Sequence, residues 1–138
     1  MPMVNVRIAS QPRQGLVEDI VHAVGDLTAR VLRKDPGVTV IAVDLMPREQ
    51  WFVGGTSVAN LDVAGFYLEI SVTDGTNSKD EKAEFVARVY AEMERILRCL
   101  HPSSYVLVSD TKGDGYGYGC RTQESRYVEK ALSSMSAR

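Results

Sequence analysis

The sequence predicts an α+β fold made of two consecutive β-α-β units, and three observations carry that prediction. Residues 3–8 alternate apolar and polar side chains, Met3, Val4, Asn5, Val6, Arg7 and Ile8, which is the period of a half-buried strand. Leu16, Ile20, Val24, Leu27 and Val31 then recur at helical spacing before the apolar run 38–45. The same succession of strand, helix and strand returns between residues 65 and 110. Right-handed crossovers in both units would bring the strands into one four-stranded mixed sheet with two helices on one face. A short amphipathic segment follows at the C-terminus.

Composition bounds what such a fold can do. A chain of 138 residues supports one core of ordinary size, so a single domain over residues 1–138 is expected, with units at 2–46 and 65–110 and an extension at 113–138. The formal net charge of −2 offers no electrostatic case for nucleic acid or an anionic membrane. The N-terminus has no basic region leading into a long apolar stretch, so neither a signal peptide nor a membrane span is expected and the cytoplasm is the expected location. Cys99 and Cys120 lack metal-ligand spacing and are accompanied only by His22 and His101, so they read as plain thiols and no metal or other cofactor is expected. His22, inside the first helix, reads as partly buried and structural.

Each element has its own local signal. The first strand ends near Ala9-Ser10-Gln11-Pro12, and the helical pattern after Gly15 stops at Lys34-Asp35-Pro36-Gly37, a helix of about five turns. The nearly continuous apolar run 38–45 predicts a strand covered on both faces, as a parallel strand would be. Residues 47–62, with Trp51-Phe52-Val53 running into Gly54-Gly55-Thr56-Ser57, read as a hairpin or loop dividing the two units. Residues 65–73 are strand-like, 74–77 have turn chemistry, and Ser78-Lys79-Asp80-Glu81 has the form of a capping box. The helix it opens carries Phe85, Val86, Val89, Tyr90, Met93, Ile96, Leu97 and Leu100, closes at His101-Pro102 and leads to a strand at 105–108. The glycine-rich stretch 113–119 reads as a mobile loop in preference to a cover over a pocket, Tyr116 and Tyr118 included. Residues 124–135 form a short helix with Tyr127, Val128, Ala131, Leu132 and Met135 on one side, expected to dock on a neighbour.

Pro2 is the candidate for chemistry. Removal of Met1, which a small second residue permits, would turn the Pro2 nitrogen into a free secondary amine at the start of the first strand. An α-amino group titrates at about 7.7–8.0, and burial or a neighbouring cation disfavours its charged form, so it can be poised as a base near neutral pH.

Pro2 opening a strand, the strand 38–45 leading through Pro47 to Trp51-Phe52-Val53-Gly54-Gly55, and Asp74-Gly75-Thr76-Asn77-Ser78 opening a long helix together resemble the tautomerase superfamily over roughly residues 2–110. The groups this chain is most similar to are 4-oxalocrotonate tautomerase, macrophage migration inhibitory factor, malonate semialdehyde decarboxylase and cis-3-chloroacrylic acid dehalogenase. The resemblance implies a tautomerase-type fold, in contrast to the ferredoxin-like split β-α-β arrangement that the same elements allow, and a homotrimer. It implies Pro2 as the catalytic residue, Trp51 as a wall of the pocket, Lys34 and Tyr105 as pocket-lining residues, and Arg13, one position out of register, as a carboxylate-binding cation. A homotrimer is expected on physical grounds as well, because an open four-stranded sheet leaves edges and a face uncovered.

Departures from the resemblance narrow the chemistry. Where the dehalogenase and decarboxylase groups have two arginines for a carboxylate, this chain has Val72-Thr73-Asp74-Gly75-Thr76-Asn77. Ala29 and Leu107 stand where the dehalogenase has a histidine and a tyrosine. The expected function is therefore an isomerase in which Pro2 acts as general base for enol–keto conversion of a small-molecule substrate, a 2-oxo acid or related carbonyl compound. The alternatives are a dehalogenase-like hydratase or decarboxylase-like lyase using Pro2 as an acid, and a non-catalytic trimeric interaction protein. Trp51 and Lys34 also have plain structural readings, as a plug at the sheet edge and as the cation that complements a helix C-terminus, a contribution of roughly 0.3–1 kcal/mol.

Overall fold

The computed structural model describes residues 2–136. In chain order the elements are β1 (Met3–Ala9), α1 (Leu16–Arg30), β2 (Val40–Met46), the two-residue strands β3 (Phe52–Val53) and β4 (Thr56–Ser57), α2 (Val58–Leu61), β5 (Gly65–Thr73), α3 (Lys79–Leu97), β6 (Tyr105–Thr111), β7 (Gly117–Tyr118), β8 (Arg121–Thr122) and α4 (Gln123–Ser136). The main sheet has the order β2-β1-β5-β6. Within each β-α-β unit the strands are parallel neighbours, β1 with β2 and β5 with β6, and the units meet antiparallel across β1 and β5. A split arrangement would place a strand of one unit between the two strands of the other. No such interleaving occurs, and the tautomerase-type fold is the one present.

Alternation along β1 decides which face is covered. Val4, Val6 and Ile8 are buried, whereas Met3, Asn5 and Arg7 are exposed. Antiparallel register sets these buried residues opposite Ile70, Leu68 and Phe66 of β5, so both central strands present one apolar face. Leu16, Ile20, Val24 and Leu27 of α1 and Phe85, Val89, Met93 and Ile96 of α3 complete a single core on that face. The other face, with Asn5, Arg7, Ala42 and Asp44, is open.

Several expectations are corrected in detail. Helix α1 runs 15 residues, about four turns instead of five. Its apolar spacing continues past the helix because Val31 and Leu32 stay buried in the exit turn, where Arg33 takes φ 59°. The second strand begins at Val40, since residues 36–38 form a single 3₁₀ turn in which Asp35 accepts from the Gly37 amide at 2.9 Å. It is parallel as expected but is not covered on both faces: Val40 is 42% exposed and Leu45 50%, because β2 is an edge strand and both long helices sit on the far side of the sheet. Helix α3 stops at Leu97, ahead of His101-Pro102, where Arg98 at φ 57° turns the chain so that Leu100 can pack into the core. His22 is exposed, not partly buried.

The capping box at α3 forms as the sequence indicates. The Glu81 amide donates to Ser78 Oγ at 3.1 Å, and the Ser78 amide donates to Glu81 Oε1 at 2.8 Å. The Ser78 backbone bond, aided by the Arg33 guanidinium, lowers the Glu81 carboxyl from 4.5 to about 2. A depressed folded-state value stabilises fully above about 4.5, and that stabilisation is lost as pH falls towards 2. Ser78→Ala should cost about 1 kcal/mol in urea unfolding. Glu81→Gln should flatten the decline in stability between pH 4.5 and 2, and an unchanged acid limb would show that this carboxylate is not its source.

Residues 113–119 contain regular structure beyond the loop the sequence suggested. They lead into the β7–β8 hairpin, paired Gly117 with Thr122 and Tyr118 with Arg121. A Cβ at Gly117 would lie 2.0 Å from the Arg121 carbonyl oxygen, so the two strands close only over glycine. The Gln123 amide donates to the Tyr116 carbonyl at 2.9 Å and the Glu124 amide to that of Gly113 at 3.0 Å, which ties α4 to the hairpin. Beyond this tether the helix stands out from its own chain, with Tyr127 74% and Met135 67% exposed.

Candidate functional site

The site grows from the register of β1. Pro2 is buried at the start of the strand, and its carbonyl accepts from the Val40 amide at 3.2 Å, which holds it against β2. Because Met3 pairs with Ser71, continuation of the register brings Pro2 opposite Val72, with Thr73 one step beyond. Val72 and Thr73 in turn pair with Asp110 and Thr111 at the end of β6. The Pro2 end of the sheet therefore collects the starts of β1 and β2 and the ends of β5 and β6. Helix α1 returns antiparallel to β1, so its exit delivers Lys34 to the same end.

Lys34 is half-buried and donates from Nζ to Thr76 Oγ1 at 2.9 Å. Thr76 Oγ1 passes the chain on to the Thr73 carbonyl at 2.6 Å, and Thr73 Oγ1 lies 2.8 Å from the Tyr116 hydroxyl. Burial, reinforced by repulsion from Arg33, lowers the Lys34 pKa, while Glu81 and Asp110 pull in the opposite direction. Two nearby cations are paired, Arg33 with Glu81 at 2.8 Å and Lys82 with Asp110 at 2.6 Å. Among the described residues Lys34 has no carboxylate partner within salt-bridge distance, so its ammonium is open to an anion.

Trp51 and Tyr105 lie elsewhere. Trp51 packs across Gly65, where a Cβ would be 2.9 Å from its Nε1, and Gly65 pairs with Ala9 at the opposite end of β1. Together with Phe52, Gly54, Tyr67 and Ser103, Trp51 and Tyr105 line an open cleft of about 410 Å³. Six residue steps separate Met3 from Ala9, so this cleft and Pro2 are roughly 20 Å apart within one chain. Arg13, between β1 and α1, is also at the far end, exposed and occupied with Asp19 at 2.7 Å and the Gln14 carbonyl at 3.2 Å. One chain thus places Pro2 and Lys34 at the same end of the sheet, and Trp51 and Tyr105 in one cleft at the other.

Thr73, Thr76 and Tyr116 join the Pro2 end without having been singled out as site residues by sequence reasoning. The two threonines read there as the absence of cations and as turn chemistry. Tyr116 was legible only as an aromatic among glycines, and its spacing before an amphipathic helix is the one signal for an anchored hairpin. Met1, whose removal the base role requires, lies outside the described residues. Cys99 and Cys120 are free and exposed, and no cluster of three or more His, Cys, Asp or Glu suited to a metal is found among the described residues. Among those residues no helix is long and apolar enough to cross a membrane.

No protein-family model and no curated protein matches the sequence. Solved structures do match in fold. A fused 4-OT in an asymmetric trimer superposes with a TM-score of 0.78 at 14% identity, over 90% of this chain and 98% of that one. A macrophage migration inhibitory factor-like protein from Entamoeba histolytica gives 0.72 at 16% identity over 88% and 97%. The protein Pt0534, solved after inactivation by 2-oxo-3-pentynoate, gives 0.79 at 9% identity over 90% and 98%. The chain has the fold of the tautomerase superfamily; identities this low speak to fold alone.

Proposed function

We propose that the protein is a tautomerase in which the free Pro2 amine is the general base for enol–keto conversion of a small, monoanionic 2-oxo acid. The observation that supports this reading most is the placement of the buried strand-initial Pro2 and the half-buried, carboxylate-free Lys34 at the same end of a tautomerase-type sheet. The neutral amine takes the proton from the enol or from the carbon α to the carbonyl and returns it to the other position. Lys34 holds substrate oxygen. The ammonium of Lys34 is a point charge that suits one carboxylate oxygen, and Thr73 and Thr76 cannot supply the bidentate charge that an arginine pair would.

The same reading requires a second copy of the chain. Trp51 and Tyr105, too far from their own Pro2 to wall its pocket, would be contributed by an adjacent subunit of a homotrimer. The exposed edge strand β2 and the open sheet face are the surfaces such an assembly would cover. A substrate panel tests the chemistry. Enol–keto conversion of phenylpyruvate should be measurable by the loss of enol absorbance, while chloride release from 3-chloroacrylate and decarboxylation of malonate semialdehyde should be absent or trace. Robust chloride release would mean that Pro2 works as an acid. Inactivity across the panel would favour a non-catalytic interaction protein, for which the exposed apolar side of α4 would be the natural surface.

A further inference from the structure

We infer that the Tyr116 hydroxyl, brought to the end of β5 by the β7–β8 hairpin, is a substrate-binding group that shares the carboxylate of the 2-oxo acid with Lys34. The inference rests on the proposed use of the Pro2 end as the reactive site. Its geometry centres on Thr73. From one side Lys34 reaches the Thr73 carbonyl through Thr76, and from the other Tyr116 reaches the Thr73 hydroxyl. A cation and a phenol thus converge on one residue, a single register step beyond the position opposite Pro2.

The hairpin is built to hold that hydroxyl in place. Its base is closed by the bonds from the Gln123 and Glu124 amides to the Tyr116 and Gly113 carbonyls. Its tip is clamped by Arg126, whose guanidinium lies 3.8 Å from the centre of the Tyr118 ring and donates to the Tyr118 carbonyl at 2.7 Å. None of these contacts uses the Tyr116 hydroxyl. Its bond to Thr73 is between two neutral groups that can exchange donor and acceptor roles, and a carboxylate is a stronger acceptor than a threonine hydroxyl. On binding, the phenol would turn its proton from Thr73 Oγ1 to the substrate carboxylate, leaving the anion between one ammonium and one hydroxyl. Carboxylate charge does not change during enol–keto conversion, so the contact is made equally in ground and transition states and should appear in KM more than in kcat.

The test uses the full chain with a free Pro2 amine, sodium phenylpyruvate as probe, and the variants Tyr116→Phe and Tyr118→Phe. Tyr116→Phe should raise both KM and the phenylpyruvate Kd about tenfold with kcat changed less than about twofold, whereas Tyr118→Phe, which keeps the ring beneath Arg126, should match the parent chain. In amide NMR spectra the Thr73, Thr76 and Gly117 signals should move on titration of the parent chain, and the Gly117 response should fade in Tyr116→Phe. An unchanged Kd in Tyr116→Phe, an equal loss in Tyr118→Phe, or a titration that leaves Gly117 and Thr73 unmoved would overturn the inference. If phenylpyruvate moves these amides but no turnover is seen, the binding role stands and the catalytic reading falls, so the two fail separately.

Discussion

Adding one residue before Pro2, or retaining Met1, should abolish enol–keto conversion, because an amide nitrogen has no basic lone pair. Pro2→Ala, with its terminus freed, keeps a primary amine at the same place and should lose activity only in part. The pH profile separates base from acid. An α-amino group ordinarily titrates at about 7.7–8.0, and the burial of Pro2 favours the neutral form, so the limb should fall at or below that range. With the neutral amine as the active species, kcat/KM should rise with pH through the amine's pKa and be lost below it; an acid role would invert the limb. Mass spectrometry of the purified chain, which reads whether Met1 is present, must accompany each rate. Equal rates for blocked and free termini would leave the interaction protein as the better account.

Mixing two disabled variants should restore activity that neither has alone. A chain blocked at Pro2 has no base, and Trp51→Ala removes the aromatic wall, a loss of positioning that can cost roughly a hundredfold. If each pocket combines Pro2 of one copy with Trp51 of the next around a closed ring, random exchange of the two chains in equal amounts should leave about a quarter of the pockets intact. Sedimentation of the parent chain should give three times its mass of 15.2 kDa. A clean monomer at micromolar concentration, or exchanged mixtures no more active than their parts, would remove the shared pocket and require Trp51 to act only where it now packs, against Gly65.

Legibility in the sequence followed the range of the interactions. Ser78 and Glu81 are three positions apart and contact each other directly, so their capping box was readable as letters and is present as bonds. The alternation of residues 3–8 marked one buried face of β1, and the structure buries Val4, Val6 and Ile8. Helix ends were read less well, at Lys34 for α1 and at His101 for α3, because apolar side chains go on packing after the backbone has left the helix at Arg33 and Arg98.

By itself the sequence determined the two β-α-β units, the covered face of β1, the proline that opens it and the absence of an arginine pair at residues 72–77, all of which depend on neighbours a few positions away. Only tertiary structure decided the strand order β2-β1-β5-β6, which excludes the split arrangement, and the exposure of β2, whose apolar run implied cover on both faces. It also decided the sorting of the site. Register along β1 sends Lys34, Thr73, Thr76 and Tyr116 to the Pro2 end and Trp51 and Tyr105 to the other, and Tyr116 joins Thr73 across 43 residues of chain. Such a pairing is set by where a hairpin closes over Gly117 and how a sheet aligns its strands, and spacing along the chain encodes neither.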